Sequence, residues 1–447
     1  MSGYPEPGEL QALLLGHLRR PVSRHLLFSF GRSTRRSRRL LAGIPVTFGD
    51  SAEIPLEEPL TSVGITHRGL HRLGVEHDLV HRFDPRFLDS VASKRMGDHP
   101  STDSAIKHWW ERRFQTRSVN LIVHIHALTP AQLEARTRAI RELADACYAR
   151  ELIPRKDGTT LDGAFMSGPG KLHFGYTDGI SAPHIAWHGP PGPGEVDARE
   201  FVLGYATREY FSAPEDGPAA ELARGSTYGV FRWVYQDVAA FNLFLHEEAP
   251  RLFGELPADQ AEELLAAKLM GRWRDGTPLV LSPDGPDPAL AASDEFDYAE
   301  ADEDGLRCPF SAHIRVMNPR GQQLRTVAGT TPKVLRRGTP YGPPLEGTVD
   351  DGVDRGLLGV FLCRDIHEQI LKLTSWAQKN DFAPCYRGAE RAQDALVGNR
   401  AGRADTSFTI PREDGPVVVP ALPSFLRTKG TALALYPGRE TLRQLTA

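Results

Sequence analysis

Residues 119–132, which read VNLIVHIHALTPAQ, decide the fold class. Apolar side chains alternate along the first eight positions, which predicts a strand with one face toward a core. Thr129, Pro130 and Gln132 then supply an N-cap, a proline at the first helical position and the glutamine of a capping box. They predict a helix that runs to about Arg150. A strand followed closely by a capped helix is typical of an α+β or α/β layer.

The other face of this strand carries two histidines, His124 and His126. A histidine pair two residues apart on a strand could bind a metal ion. No third ligand is spaced to join the pair, so we favour a polar or partly exposed sheet face.

Similar strand and helix patterns recur in the second half of the chain. Residues 230–235 predict a strand and residues 237–246 a helix, while residues 357–362 predict an apolar strand. Asp365 opens a further helix with a capping box. The recurrence predicts two similar α+β units, although the sequence contains no internal repeat.

A stretch rich in glycine and proline, residues 157–194, separates these patterns and indicates the seam between two domains. We expect an N-terminal domain over residues 1–215, which includes the seam, and a C-terminal domain over residues 216–447.

The composition is that of a soluble globular protein, with 447 residues, 40% hydrophobic and 25% charged. A net charge of −4 gives no general attraction to nucleic acid or to a membrane surface. The N-terminus lacks a basic region, and its apolar run, residues 12–15, is too short for a signal or a membrane span. We therefore expect a cytoplasmic protein. Four scattered cysteines without a CxxC pair agree with a reducing compartment: Cys147, Cys308, Cys363 and Cys385.

Three segments carry candidate chemistry. The segment 307–320 holds His313 between prolines, and a single histidine is how many proteins bind haem iron, although a hydrogen-bonded core position is the alternative. The segment 173–181 places Asp178 before a glycine, as a turn residue would be. The segment 334–342 contains an Arg-Arg-Gly that could equally be a surface loop. The acidic run 294–304 lacks EF-hand spacing, and we expect a solvated loop.

These segments resemble the dye-decolorizing peroxidases. Residues 175–179 fit the GxxDG motif of that family, and residues 308–320 resemble its proximal-histidine segment. Further similarity, in the family's order, covers nearly the whole chain: residues 11–31, 225–241, 294–298, 336–342 and 355–358. The resemblance implies an α+β fold of two ferredoxin-like domains packed together, with one haem b per chain in the C-terminal domain.

The resemblance also implies roles for individual residues. His313 is expected to be the proximal ligand of the haem iron, with Asp394 as a candidate partner for its other nitrogen. Asp178 is expected to be the distal acid-base residue and Arg336 the distal arginine, with Arg337 as the alternative. The remaining residues expected to contact haem are Arg315, as a propionate partner, and Ile180, Ser181, Leu357 and Phe361.

The expected reaction is reduction of H2O2 with oxidation of phenolic or dye-like donors, partly through surface aromatic residues. Trp233, Tyr341 and Trp376 are candidates, but aromatic residues near haem more often serve packing, and we favour that role. One departure from the family pattern is Gly359, where a bulky residue is usual. An open pocket there would favour a specialised biosynthetic enzyme acting on one metabolite. A third alternative is a haem-binding protein without turnover. The sequence leaves oligomerisation open.

Overall fold

The computed structural model describes residues 3–15, 20–49, 54–88, 96, 98–165, 170–207, 210, 214, 216–322, 331–378, 393–401 and 406–447. Cys385 and the expected domain boundary at residue 215 lie outside the described residues, so that boundary stays a prediction. The three described cysteines, Cys147, Cys308 and Cys363, are free and buried.

The first half of the chain has a β-α-β-β-α-β core. Its elements are β1 Val22–Ser29, α1 Thr34–Gly43, β2 Leu60–Ile65, α2 His67–Arg72, β3 Leu121–Ala127, α3 Pro130–Ala146, β4 Arg150–Glu151 and β5 Leu161–Ala164. The strands lie in the order β4-β1-β3-β2, with β5 added beside β1. The predicted capping box at Thr129 is present, and α3 ends four residues before the predicted Arg150.

The second half repeats this arrangement. Its elements are β6 Thr227–Gln236, α4 Val238–Leu252, α5 Ala258–Met270, α6 His313–Met317, β7 Leu335–Tyr341, β8 Gly356–Cys363, α7 Lys372–Gln378, β9 Leu426–Tyr436 and α8 Arg439–Thr446. The strand order β9-β6-β8-β7 matches the first half, strand for strand. Two ferredoxin-like units, predicted from sequence, are therefore confirmed.

Shorter elements complete the described chain. The short helical segments are Pro7–Glu9, Ala12–Leu15, His77–Val80, Pro85–Leu88, Ile106–Arg112, Thr116–Ser118, Ala198–Glu200, Gly217–Ala223, Tyr298–Ala301 and Ile366–Leu371. Two small ribbons pair Ile185–Ala186 with Val196–Asp197 and Phe408–Ile410 with Val417–Val419. No helix among the described residues is both long enough and apolar enough to cross a membrane.

The two units share one sheet that curls on itself. Ile65 of β2 pairs with Leu435 of β9, which joins the units edge to edge. At the opposite side, Ser23 of β1 and Thr339 of β7 hydrogen-bond at 2.7 Å. The enclosed face forms a core cluster with members from both units, among them Phe231.

This closure overturns the expectation for the histidines of β3. His124 and His126 are buried inside the curled sheet and not on an exposed face. His124 lies between His25, at 2.7 Å between Nδ1 atoms, and the hydroxyl of Tyr436, at 2.7 Å from Nε2. Burial lowers the pKa of His25 to about 3, so these rings are neutral at pH 7.

Candidate active site

Asp178 and Arg336 face each other outside the curled sheet. Arg336 lies on the outer face of β7, and its Nη2 is 3.8 Å from Oδ1 of Asp178. The side chain of Arg336 is 45% exposed and that of Asp178 is 39% exposed. The separation is longer than a direct hydrogen bond, so both groups keep donor and acceptor capacity for a small ligand between or beside them.

The neighbouring Arg337 points to the opposite face, because successive side chains of a strand alternate. Its Nε and Nη2 donate to the carbonyl oxygens of Leu13 and Leu14 at 2.8 and 2.7 Å. Burial lowers the pKa of Arg337 to about 10. The structure thus brings Arg336, and not the alternative Arg337, to Asp178.

The loop that carries Asp178 is anchored by Arg274, a residue that no motif in the sequence indicates. The backbone carbonyl of Arg274 accepts hydrogen bonds from the Thr177 hydroxyl, at 3.1 Å, and from Nζ of Lys171, at 2.8 Å. Its guanidinium donates to the carbonyl of Phe174 and pairs with Glu263. The contacts of Arg274 with Lys171, Phe174 and Thr177 join residues about 100 positions apart, so no local pattern could have revealed them.

Gly175 opens that loop with φ of +88°, a conformation that favours glycine. A Cβ at this position would lie 2.8 Å from Cδ of Arg274. The first glycine of the GxxDG motif is therefore required both by backbone conformation and by the close approach of Arg274.

His313 begins α6 and is held by Asp394. Its Nδ1 lies 2.9 Å from Oδ2 of the carboxylate, which is completely buried. A carboxylate only accepts hydrogen bonds, so Nδ1 carries the proton and Nε2 presents its lone pair. Asp394 was a candidate for this role in the sequence, and the structure brings it to His313.

Asp394 is itself fixed by the backbone. Its Oδ1 accepts hydrogen bonds from the amides of Leu396 and Val397, each at 2.9 Å, and its own amide donates to the carbonyl of Ala377 at 2.9 Å. The Ala395 amide donates to the carbonyl of Ser311, two residues before His313. The carboxylate is thus oriented before any metal binds, as ligand partners usually are.

Asp294 links the Asp178 loop to the end of α6. Its Oδ1 accepts a hydrogen bond from Ser181 at 3.0 Å and pairs with the guanidinium groups of Arg272 and Arg320. The expected solvated loop at residues 294–304 is therefore wrong at Asp294, and it is also wrong at Asp302, which is buried and pairs with Arg315. The buried guanidinium groups of Arg272 and Arg320 require a negatively charged partner. Their burial is known only from the fold, so the sequence alone could not reveal this requirement.

Ile180 packs beside the same connection. A Cβ added to Gly276, where φ is +115°, would lie 2.5 Å from Cδ1 of Ile180. Ile180 and Ser181 therefore position the segment after Asp178 through packing and through Asp294, and contact of either residue with haem stays a prediction.

Arg315 does not have the surroundings expected of a propionate partner. Its side chain is fully buried and pairs with Asp302 at 3.0 Å, while it also donates to the carbonyl of Cys308 and the side-chain oxygen of Gln322. Its guanidinium stacks between the rings of Tyr298 and Phe310, 4.4 and 4.3 Å from their centroids. Two residues along a helix rotate a side chain by about 200°, so Arg315 points away from His313. The expected propionate contact is corrected to a structural role.

The outer face of β8 carries Leu357, Gly359 and Phe361, each of which is partly exposed. Phe361 pairs in register with Arg336 of β7. A Cβ added to Gly359 would lie 3.2 Å from Cε2 of Phe361, so the phenyl ring leans over the glycine. The ring of Phe361 occupies space beside Gly359, which weakens the case for an open pocket, while its role as a wall of the haem pocket stays a prediction.

The three aromatic residues considered for electron transfer are buried, as the favoured packing role requires. Trp233 is 0% exposed and Tyr341 2%, because both point into the curled sheet. Arg155 stacks over both rings, 5.1 Å from each centroid. Trp376 is 7% exposed. None of the three can make direct contact with a bulky donor.

Comparison with known proteins agrees with this arrangement. No protein-family model matches the chain. A dye-decolorizing peroxidase of Exidia glandulosa is 29% identical over 365 residues, covering 77% of this chain and 68% of the relative. A multifunctional dye peroxidase of Amycolatopsis sp. is 28% identical over 365 residues, covering 77% and 72%. Another dye-decolorizing peroxidase, from Mycetinis scorodonius, is 28% identical over 371 residues, covering 78% and 68%.

The chain is similar to dye-decolorizing peroxidases over most of its length.

Solved structures of this family share the complete fold. One dye-decolorizing peroxidase structure superposes with a TM-score of 0.81 at 26% identity, covering 99% of this chain and 98% of the other. A second, in complex with 2,6-dimethoxyphenol, gives 0.81 at 24% identity over 99% of both chains. Dye-decolorizing peroxidases are haem enzymes, and this chain is a peroxidase of that type.

The residues present fit a haem. His313 offers an imidazole whose Nδ1 is held by Asp394 and whose Nε2 has no hydrogen-bond partner among the described residues. Asp178 and Arg336 provide an acid and a fixed positive charge side by side. No group of three or more histidine, cysteine, aspartate or glutamate side chains in the described ranges is arranged to hold a metal ion by itself. A single imidazole nitrogen such as Nε2 of His313 is a common protein ligand for haem iron.

Proposed function

We propose that this chain binds one haem b, reduces H2O2 and oxidises phenolic or dye-like donors. The observation that carries the proposal is the pair formed by Asp178 and Arg336, 3.8 Å apart on the outer face of the sheet. Haem carriage alone requires neither an acid nor a guanidinium, so this pair favours turnover over simple binding. When bound, haem would supply the two-electron redox chemistry that cleaves the O–O bond.

The protein's own residues move the proton and stabilise charge. Asp178, as a carboxylate, would accept a proton from one peroxide oxygen and return it to the other, which would leave as water. Arg336 stabilises the negative charge that develops on the departing oxygen and does not change protonation itself. Because the two side chains lie side by side, one peroxide molecule can contact both groups at once.

His313 would hold the haem iron through Nε2. Asp394 holds the Nδ1 proton and makes the imidazole a stronger donor to the metal. Leu357 and Phe361 would form the wall beside the bound group. The pyridine haemochrome spectrum of the purified protein identifies haem b and, divided by protein concentration, gives the number of haems per chain.

Phenolic donors are supported by the family and by the complex of one solved relative with 2,6-dimethoxyphenol. A cytoplasmic location is supported by the free, buried Cys147, Cys308 and Cys363. Cell fractionation followed by immunoblotting tests the location. Size-exclusion chromatography with light scattering measures the oligomeric state, which the contacts within one chain do not determine.

Stopped-flow spectroscopy tests the proposed chemistry. Mixing ferric protein with H2O2 should shift the Soret band rapidly, and Asp178→Asn or Arg336→Leu should each slow that shift by roughly a hundredfold or more. The matched controls are Asp103→Asn and Arg138→Leu, two exposed charges outside the site, which should leave the rate unchanged. Equal rates in the wild type and the double variant would support a haem-binding protein without turnover.

The specialised biosynthetic enzyme, the other alternative, needs space for a metabolite above Gly359. Phe361 lies over that glycine. A tight and saturable spectral change with one small molecule, together with poor turnover of phenols, would be needed to restore this alternative.

A further inference from the structure

A cleft lies between α2 and the segment 116–120, outside the site described above. It consists of two cavities, of about 480 and 140 Å³, which share His67, Arg68 and Arg117. We call it the His67 cleft. The larger cavity is further lined by Ser29, His71, Arg72, Ser118 and Asn120, and the smaller one by Thr66, Phe87, Leu88, Trp109, Thr116, Val119, Thr431 and Leu433. A volume of this size suits a small aromatic molecule.

The rim of the cleft is strongly cationic. Arg68, Arg72 and Arg117 are all exposed. In the part of the chain that the structure describes, none of these three guanidinium groups forms an ion pair, and no carboxylate lines either cavity. Three arginines that converge without a counter-ion generate a local positive potential in a chain whose net charge is −4.

Two histidines add polar groups to this rim. Nε2 of His67 lies 3.1 Å from Nε2 of His71, so one ring donates to the other. Burial first, and then the nearby His71, His81, Arg68 and His77, lower the pKa of His67 to about 4. Burial is the main reason that His67 stays neutral, and of these neighbours Arg68 is the one with a fixed positive charge, which would favour an anion.

The inner part of the cleft is apolar and aromatic. Phe87 and Trp109 are 2% and 3% exposed and contribute to the wall of the smaller cavity. The indole nitrogen of Trp109 donates to the carbonyl of Ser104 at 2.8 Å, which leaves the ring as an apolar surface. Phe87 also packs on Tyr228, with ring centroids 5.3 Å apart. A ligand that fits both parts has an aromatic ring and an anionic group.

We propose that the His67 cleft binds aromatic anions, that is, aryl carboxylates or sulfonates, as electron donors. The anionic group would pair with Arg68, Arg72 and Arg117, and the ring would enter the side lined by Phe87 and Trp109. This inference rests on the proposed peroxidase function. A phenolic donor bound there loses one electron to the peroxide-oxidised haem and its hydroxyl proton to solvent, which leaves a neutral phenoxyl group on the ring.

The sheet connects this cleft to the expected haem wall. Thr431 and Leu433 of β9 line the smaller cavity and pair with Arg232 and Val230 of β6. Those two residues pair in turn with Gly359 and Phe361 of β8. Paired residues lie on one face of a sheet, and two strand spacings are about 10 Å. The cleft and the outer face of β8 are therefore neighbours on the same side of the sheet.

Calorimetric titration of the full chain tests the binding site without turnover. The probe is 2-naphthalenesulfonate, with 2-naphthol as its neutral analogue and inorganic sulfate as an anion without a ring. The sulfonate should bind, and Arg68→Gln combined with Arg117→Gln should raise its Kd by about tenfold or more, because two charge-assisted hydrogen bonds are lost. The control Arg138→Gln removes a single exposed charge from α3 and should leave Kd unchanged.

Each competing result overturns a stated part of the proposal. If 2-naphthol bound as tightly as 2-naphthalenesulfonate, the cleft would be an apolar site. If sulfate bound as tightly as 2-naphthalenesulfonate, the cleft would be a general anion site. An unchanged Kd in the double variant, with a circular dichroism spectrum like that of the wild type, would place the probe elsewhere.

Steady-state kinetics tests the donor role. The double variant should raise the KM for 4-hydroxybenzenesulfonate by about tenfold and that for phenol much less, because phenol has no anionic group to pair with the arginines. The control Arg138→Gln should leave both KM values unchanged. An unchanged KM for the sulfonated donor would overturn the donor role. Loss of the H2O2 reaction with intact sulfonate binding would instead contradict the peroxidase function, so the two failures are distinguishable.

Discussion

Nδ1 of His313 and Oδ2 of Asp394 lie 2.9 Å apart, and the carboxylate is wholly shielded from solvent. An anion held against an imidazole in this way increases the electron density on the ring's other nitrogen. The pair is formed between residues 81 positions apart in the chain. Folding of the chain therefore brings together the two residues on the proximal side of the proposed site.

Asp394→Asn should raise the reduction potential of the bound iron and lower the rate of the H2O2 reaction roughly tenfold, because a neutral amide is a weaker acceptor for the Nδ1 proton. Spectroelectrochemical titration measures the potential. Asp103→Asn is the matched control. A potential equal to that of the wild type would show that His313 is not the axial ligand.

Asp294→Ala should destabilise the fold by about 2 kcal/mol, because it leaves two buried guanidinium groups, those of Arg272 and Arg320, without their carboxylate. Asp294 is 33% exposed, so water reduces the cost below that of a deeply buried pair. Urea unfolding measures the free energy. The control is Glu295→Ala, which removes the adjacent negative charge and should change stability little.

Arg315→Lys should cost about 3 kcal/mol of stability, because lysine cannot reproduce the stacked, forked contacts with Asp302 and the Cys308 carbonyl. The haem content of the folded fraction should equal that of the wild type. Soret absorbance per folded chain provides the measurement. A stable variant that has lost haem would restore the expected propionate contact.

Gly359→Phe should lower the haem content, because a side chain there meets the ring of Phe361. Combining it with Phe361→Gly moves the aromatic wall by two residues on the same face and should recover most of the haem. The two single variants and the double variant form a cycle read by Soret absorbance. Additive losses in the double variant would contradict a shared wall.

Acid should destabilise the protein below pH 6.5 through its buried histidines. Burial lowers the pKa of His25 to about 3 and that of His124 and His126 well below the ordinary value. Between pH 6.5 and about 3 the unfolded chain therefore binds more protons than the folded chain. The free energy of unfolding falls by about 1.4 kcal/mol per pH unit for each such histidine as the pH decreases through this range. Urea unfolding at about pH 7, 6 and 5 checks this, and His126→Leu should reduce the slope.

Local patterns in the sequence predicted the elements well. The capping box before α3 and the alternation in β3 depend only on nearby residues, and both are present. The motif resemblance supplied Asp178, Arg336 and His313, because motif residues are recognisable without knowing their contacts. The structure then places Asp178 against Arg336.

The incorrect expectations all depend on contacts that closure of the sheet and packing of the loops create. The pattern of β3 alone predicts a partly exposed face for His124 and His126, because it does not reveal whether other strands cover that face. Asp294 acquires its partners from positions 22 and 26 residues away. Arg315 is close to His313 in sequence, but the turn of α6 sends the two side chains in different directions.

The junction between Ile65 and Leu435 has a consequence for biosynthesis. The strand that joins the two units, β9, is the last strand of the sheet to leave the ribosome. The edge of β2 in the first unit therefore stays unpaired until Tyr436, the last residue of β9, has emerged. A cofactor that needs both units would bind only after that. Chaperones that mask exposed strand edges should therefore associate with nascent chains that end before β9 and release those that extend beyond it.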